Sequence, residues 1–338
     1  MALSVSSAAV CAQEQPPRYV ERVEVERLIV DARALDDHGD AITGLTADDF
    51  KVTIDGIPAR VETATWVGEP EAESVDVATP RAATRDASVP VPQGRLIVLL
   101  FQKDFDGSRL RGLMNMLLKS HEVLDSLTPG DHVAILSFDK QLKIWTDFTS
   151  DRERLDRILT HDLLMQGPTP IAASSAPSLV AGLDPESARH TYQIEQALKL
   201  IGETLAPLPG SKSLVLFGYG FGQLTLGGGV AMENNYEAAR QALVDARTSV
   251  FSLDITDADY HSLEAGLQIV SEQTGGFYAK THLFPGIALR QLAGALAGYY
   301  ALFVEKPDRQ RPMHDIKTEL TRRKGRVLAV TSVAEPSR

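Results

Sequence analysis

The sequence predicts an α/β fold: a mostly parallel sheet covered by helices on both faces, inserted in a small discontinuous β-sandwich. Three observations lead there. Residues 96–101 read Leu-Ile-Val-Leu-Leu-Phe, and a strand buried on both faces reads as such a continuous apolar run. From that run to residue 304, strand-like and helix-like patterns alternate, the signature of a parallel sheet with helical crossovers. Both flanks of this region show strand patterns without helices. Isolated hairpins are marginal in water, so the flanks are expected to pair into one β module.

Residues 1–18 are expected to be a signal-peptide remnant or a disordered start. From Tyr19 to residue 68 the chain is β-patterned: Val23, Val25, Leu28 and Val30 lie in an extended run, and Asp55-Gly56 separates two further runs. Asp-Gly between such runs is a strong hairpin signal. Residues 69–94 are rich in Pro, Ala, Glu and Ser and nearly devoid of large apolar residues, which predicts a linker. The α/β domain is expected over residues 95–306 and the second part of the sandwich over 307–334.

Within the α/β domain the first strand empties into the loop Gln102 to Ser108. A helix follows, with Leu110, Leu113, Met114, Leu117, Leu118 and Leu124 on one stripe, the spacing of an amphipathic helix. The Pro129-Gly130-Asp131 turn starts the strand His132 to Phe138, and Gln141 to Trp145 reads as its neighbour. A charged surface helix is expected at 151–159. Ile194, Ala197, Leu198, Ile201 and Leu205 form a second stripe before the strand 213–217, and a helix near 236–247 leads to the strand 249–253. Leu263, Leu267 and Val270 line a helix that stops at Gly275-Gly276, where glycine suits the left-handed cap. A last helix, 287–296, is expected to feed the domain's last strand, 299–304, with Tyr299, Tyr300 and Phe303 in its core. Residues 314–333 read as two strands around Lys324-Gly325.

The chain has 338 residues, 43% of them hydrophobic, and a net charge of −11. Nucleic acids and anionic membranes attract clustered Lys and Arg, so this acidity argues against both as partners. No stretch approaches the ~20 apolar residues that cross a bilayer. Met1 to Ala12 is uncharged and ends in small residues like the tail of a signal peptide, so an exported protein, periplasmic, envelope-associated or secreted, is expected. Cys11 is the single cysteine, which excludes a disulfide within the chain.

Several motifs in a fixed order, namely Leu96 to Ser108, Pro129-Gly130-Asp131-His132-Val133-Ala134, Asp147-Phe148-Thr149-Ser150-Asp151, Gly167-Pro168-Thr169-Pro170 and Thr274-Gly275-Gly276, resemble a von Willebrand factor type A domain. With Gly44-Leu45-Thr46-Ala47-Asp48-Asp49-Phe50 ahead of them, they are most similar to the bacterial VWFA-related proteins typical of acidobacteria. The resemblance spans roughly residues 20–334. It implies a six-stranded, doubly wound domain that is not an enzyme and that binds a protein partner at the carboxyl ends of its strands. In the family an Asp-x-Ser-x-Ser loop, a Thr and a further Asp surround a divalent cation.

This sequence departs from that pattern. Gln102 stands at the first Asp, Asp104 and Asp106 stand at the two Ser positions, Thr169 is retained, and Tyr219 stands at the later Asp. The resemblance thus implies a degenerate site in which Asp104, Asp106 and Thr169 would hold Mg²⁺ or Mn²⁺, a hard ion that wants six oxygens in tight geometry. The bland alternative is a helix cap at Asp106 or Ser108, with Lys103, Arg109 and Arg111 neutralising the acids. Gln102, Ser108, Tyr219 and Phe221 are the expected partner-binding residues.

A different class of function is suggested by Gly218-Tyr219-Gly220-Phe221-Gly222, which follows a strand like the phosphate loop of a dinucleotide-binding enzyme. Its third glycine comes one position early, and Asp254 lies far beyond the ~20 residues expected of a ribose-binding acid. Neither a nucleophile elbow nor a His-Glu-x-x-His helix occurs.

Overall fold

The computed structural model describes residues 27–68, 94–104, 106–174, 177–227, 229–307 and 311–335. The signal-like start, the strand beginning at Val23 and Val25, and residues 69–93 of the expected linker lie outside the described residues.

The central sheet has six strands in the order Tyr278–Lys280, Thr248–Asp254, Lys212–Gly218, Leu96–Gln102, His132–Phe138, Leu142–Thr149. All are parallel except the last, which runs antiparallel to its neighbour. The three middle strands Leu96–Gln102, Lys212–Gly218 and Thr248–Asp254 are buried at every position. Their continuous apolar runs follow from that double burial.

Because strand side chains alternate between faces, one strand feeds two cores. Ile97, Leu99 and Phe101 join Leu113, Met116 and Leu117 of the helix Gly107–Leu118. Leu96, Val98 and Leu100 join Leu198, Ile201 and Leu205 of the helix Ile194–Leu205 on the opposite side. Phe101 and Phe217 stack at 4.4 Å between adjacent strands. The helices cover both faces, and the doubly wound α/β expectation is met.

The flanking strands build two four-stranded sheets, Arg326–Ala329, Arg27–Leu35, Gly298–Glu305, Val61–Gly68 and Ser332–Ala334, Met313–Leu320, Phe50–Ile54, Ile57–Ala59. Their inner residues, among them Val30, Ala32, Phe50, Val52, Tyr300 and Leu302, form a third core. The Asp55-Gly56 hairpin is present, with φ of 52° and 76° at its two turn residues, as the tight primed turn requires.

The strand Gly298–Glu305 corrects an expectation. It lies between Arg27–Leu35 and Val61–Gly68 in the sandwich, and the short strand Tyr278–Lys280 closes the α/β sheet instead. Its burial alternates along the chain, with Phe303 36% exposed and Tyr300 1%. That is the pattern of a one-faced antiparallel strand, not of a strand covered twice. The Tyr300 hydroxyl donates to Ile42 O at 3.0 Å and accepts from Leu45 N at 3.0 Å.

A buried arginine joins the two units. Arg33 of the sandwich donates to Ser249 Oγ at 2.7 Å and to Ala295 O at 3.1 Å. Its guanidinium lies against the Phe251 and Tyr299 rings at 5.2 and 5.6 Å. Close by, Asp31 pairs with Arg247 at 2.5 Å, and burial, with the Arg247 charge beside it, lowers the Lys212 amine to about 8. These contacts gather where the strands Lys212–Gly218 and Thr248–Asp254 begin. The sandwich therefore sits at the amino ends of the sheet and leaves the carboxyl-end loops free.

His314 fastens the distal end of the sandwich. Nδ1 lies 2.8 Å from Asp55 Oδ2 and Nε2 lies 2.8 Å from Glu335 Oε2. Carboxylates only accept, so both ring nitrogens donate and the ring is an imidazolium. Burial pushes the imidazole down, but the bonds to Asp55 and Glu335 outweigh it and hold the pKa above its ordinary value. The folded state thus binds this proton more tightly than the unfolded chain. Its contribution is complete below the unfolded value of about 6.5 and is lost as pH rises through the higher folded value. We expect His314→Ala to cost about 3 kcal/mol at pH 6, and denaturant titrations at rising pH to show the gap between wild type and variant narrowing above neutrality.

Candidate functional site

The chain winds away from Leu96–Gln102 in both directions: strands two and three lie on one side, four to six on the other. Loops part at such a reversal and leave a crevice beyond the strand ends. Gln102 closes the floor of this crevice. It is 3% exposed, accepts from Tyr219 N–H at 3.1 Å and donates to Gly220 O at 3.0 Å. The loops after the first and fourth strands are therefore brought together, but Gln102 itself is a brace and does not face a partner. That corrects the expectation of direct contact: both ends of its amide are used inside the protein.

Phe221 is corrected likewise. It is 5% exposed and belongs to the core beneath the helix Glu264–Gln273. Gly220 has φ +107°, and a Cβ there would lie 2.3 Å from Leu263 O. The backbone is pressed against Leu263, with Phe221 N–H donating to Leu263 O at 3.3 Å, and the next side chain is turned inward.

Asp106 caps the helix Gly107–Leu118, accepting from Ser108 N at 3.0 Å and Ser108 Oγ at 2.5 Å. Those bonds, the hydroxyl's first, hold its carboxyl below the ordinary range. Asp104 accepts from Asp106 N at 3.2 Å and forms an ion pair with Arg109. The Arg109 guanidinium lies 4.1 Å over the Tyr219 ring. Burial and the Asp104 charge raise the Tyr219 phenol, which stays neutral. Arg111 pairs with Asp257 at 2.8 Å, and Lys103 donates to Leu163 O at 2.7 Å. Thr169 is exposed in its own loop.

A Mg²⁺ or Mn²⁺ shell needs oxygen donors converging at close range. Asp106 and Ser108 are committed to the helix cap, and a guanidinium already faces Asp104. This donor set fits a capped helix start with a fixed positive charge, not an octahedral shell.

Two features escaped the sequence reading. Gln223–Leu224 and Val230–Ala231 pair as a small hairpin, on which Leu224 is 63% exposed and Leu226 is fully exposed. Two-residue strands beside a run of glycines carry no periodicity, so the sequence does not mark this hairpin. Asp254, at the end of the fifth strand, gathers His261, Tyr278 and Glu264 around it. The signal there was spread over two segments with no recognisable spacing.

The strand order, with one antiparallel edge strand and helices on both faces, decides the fold. The chain has a von Willebrand factor type A-like fold. Similar solved structures include a von Willebrand factor type A protein from Catenulispora acidiphila, 11% identical, covering 87% of this chain and 75% of that one with a TM-score of 0.43. The hypothetical protein BatB from Bacteroides thetaiotaomicron is 14% identical over 60% of this chain and 97% of its own, with a TM-score of 0.40. Proximal thread matrix protein 1 from the mussel byssus, solved with zinc in its MIDAS motif, is 14% identical over 61% of this chain, TM-score 0.40, and the match spans 48% of its length. No family model and no curated protein matches the sequence.

In this von Willebrand type A-like unit the motifs are mostly structural. Asp131 of the Pro-Gly-Asp turn accepts from Thr128 N at 2.6 Å and Arg95 Nε at 2.7 Å. Asp147 accepts from Ser174 N at 2.9 Å, Ser178 Oγ at 2.6 Å and Leu179 N at 2.7 Å. Burial pushes the Asp147 carboxyl up, but these bonds outweigh it and hold the group ionised.

Replacing Gln102 by Ala leaves the Tyr219 N–H and Gly220 C=O unpaired, and a loss of about 2 kcal/mol is expected. Gly220→Ala meets the Leu263 backbone and should cost more. Thermal or chemical unfolding of the two variants checks both values. Equal stability of wild type and Gln102→Ala would remove the brace from the account.

Proposed function

We propose that the chain is a non-enzymatic protein-interaction module, an adhesion or scaffold unit of the bacterial envelope or exterior. It grips its partner through the carboxyl-end loops without a cation in the 102–108 loop. The observation that carries this reading is the exposed Leu224 and Leu226 hairpin, which emerges from the same loop as Tyr219 with its stacked Arg109. Tyr and Arg are enriched among the residues that carry interface binding energy, and contiguous exposed apolar surface marks interaction sites. Arg109 provides the fixed positive charge that a bound cation would otherwise supply, and Asp104 and Tyr219 hold it in place. The signal-like start of the sequence supports export. No helix among the described residues is long and apolar enough to cross a membrane.

The dinucleotide-enzyme reading is disfavoured by the same loop. Gly220 is pressed against Leu263 rather than open to a pyrophosphate. Asp254 is 2% exposed, too deep for a ribose to reach.

The reading is tested by immobilising the full chain and capturing partners from an extract of the source organism. The Leu224→Ser/Leu226→Ser pair and Arg109→Ala serve as comparisons, with and without EDTA. A specific partner is expected to persist in EDTA and to bind about tenfold more weakly to either variant. Partner binding that EDTA abolishes, or that both variants retain in full, would overturn it.

A further inference from the structure

We propose that Asp254, His261 and Glu264 form a binding site for a transition-metal dication of the zinc class, separate from the 102–108 loop. Three segments build it. Asp254 ends the fifth strand, His261 and Glu264 lie at the start of the helix Glu264–Gln273, and Tyr278 and Lys280 come from the sixth strand. One donor atom from each of Asp254, His261 and Glu264 falls within 4.8 Å of the others. His261 Nε2 lies 2.7 Å from Asp254 Oδ2. A nitrogen with two carboxylate oxygens selects Zn²⁺ and its neighbours over Mg²⁺ or Ca²⁺, which prefer all-oxygen shells.

Charge and orientation both support the site. The Asp254 and Glu264 side chains are 2% and 11% exposed, so two carboxylates share a space with little water. Lys280 Nζ, 2.8 Å from Glu264 Oε2, is the one lysine or arginine paired with either of them among the described residues. The two carboxylates thus face a single ammonium, whereas a dication would balance both alone. Lys280 has somewhere to go: it already donates to Asp259 O and lies 5.9 Å from the Tyr260 ring.

Asp254 is aimed before any ion arrives. Thr256 N donates to its Oδ1 at 2.9 Å and Tyr278 OH to its Oδ2 at 2.8 Å, the outer bonds that orient a ligating carboxylate. Among the described residues the buried Thr256 hydroxyl has no hydrogen-bond partner, which leaves a spare oxygen in the same turn. Tautomerisation of His261 would move its proton to Nδ1 and present the Nε2 lone pair. At 17% side-chain exposure, His261 is the way in for the ion and leaves one coordination position open to solvent. Gly220 rests on Leu263, between His261 and Glu264, so the ion would lie at the edge of the carboxyl-end crevice.

The test is calorimetric titration of the full metal-free chain with Zn²⁺, with Co²⁺ absorption as an independent report of nitrogen and oxygen coordination. One equivalent is expected to bind. His261→Ala and Glu264→Gln should each weaken it at least tenfold, while Asp104→Asn/Asp106→Asn leaves it unchanged. Lys280→Met, which removes the competing ammonium, should bind Zn²⁺ more tightly than wild type, an effect that a purely structural role for the cluster would not give. Absence of binding, binding that survives His261→Ala in a folded protein, or loss of binding in the Asp104/Asp106 variant would overturn the site. If His261→Ala does not fold, the direction of change in Lys280→Met decides.

Discussion

The winding of the sheet reverses beside Leu96–Gln102, and everything at the functional end depends on how that reversal is held. Two neighbouring strands send their loops in opposite directions, and nothing in the hydrogen-bond ladder ties those loops together. One buried amide does so: Gln102 accepts from Tyr219 N–H and donates to Gly220 O. A carboxylate at this position could accept but not donate.

The brace sets the positions of the groups above it. Tyr219 is fixed at its backbone, so Arg109 can lie flat on its ring and still reach Asp104. The segment beyond is pressed onto Leu263, which turns Phe221 inward and lets the Leu224 and Leu226 hairpin emerge from a fixed base. Rigid footing lowers the entropy lost when such a surface meets a partner. The same pressure on Leu263 brings the 261–264 segment beside the crevice.

The opposite pole is organised by a different buried cation. Among the described residues no carboxylate pairs with Arg33; serine hydroxyls, a carbonyl and two aromatic rings surround it. Burial lowers its basicity, with the Asp31 charge nearby opposing that shift. Such a group is costly to bury unless all its donors are met, which makes the junction between sandwich and α/β unit specific. Mounting the sandwich at the amino ends keeps it away from the carboxyl-end loops.

The order of strands and helices, the Asp55-Gly56 turn and the doubly covered sheet were legible in the sequence because they depend on local periodicity and turn chemistry. The residues at the Asp-x-Ser-x-Ser position were legible as a departure from a metal-binding pattern. The helix cap at Asp106 was legible too, because Ser108 lies two residues away. Whether Phe221 points inward or Arg109 covers Tyr219 is settled by atoms from segments far apart in the chain. The strand Gly298–Glu305 was placed in the wrong sheet for a related reason, since an apolar strand does not reveal its neighbours. The gathering of Asp254, His261 and Glu264 depends on the chain turning back after the fifth strand, so that the start of the helix Glu264–Gln273 meets the strand's end. Sequence alone determined which segments are buried and how each begins and ends; only the tertiary structure decided which side chains meet, because charge pairing and ligand geometry act through space, not along the chain.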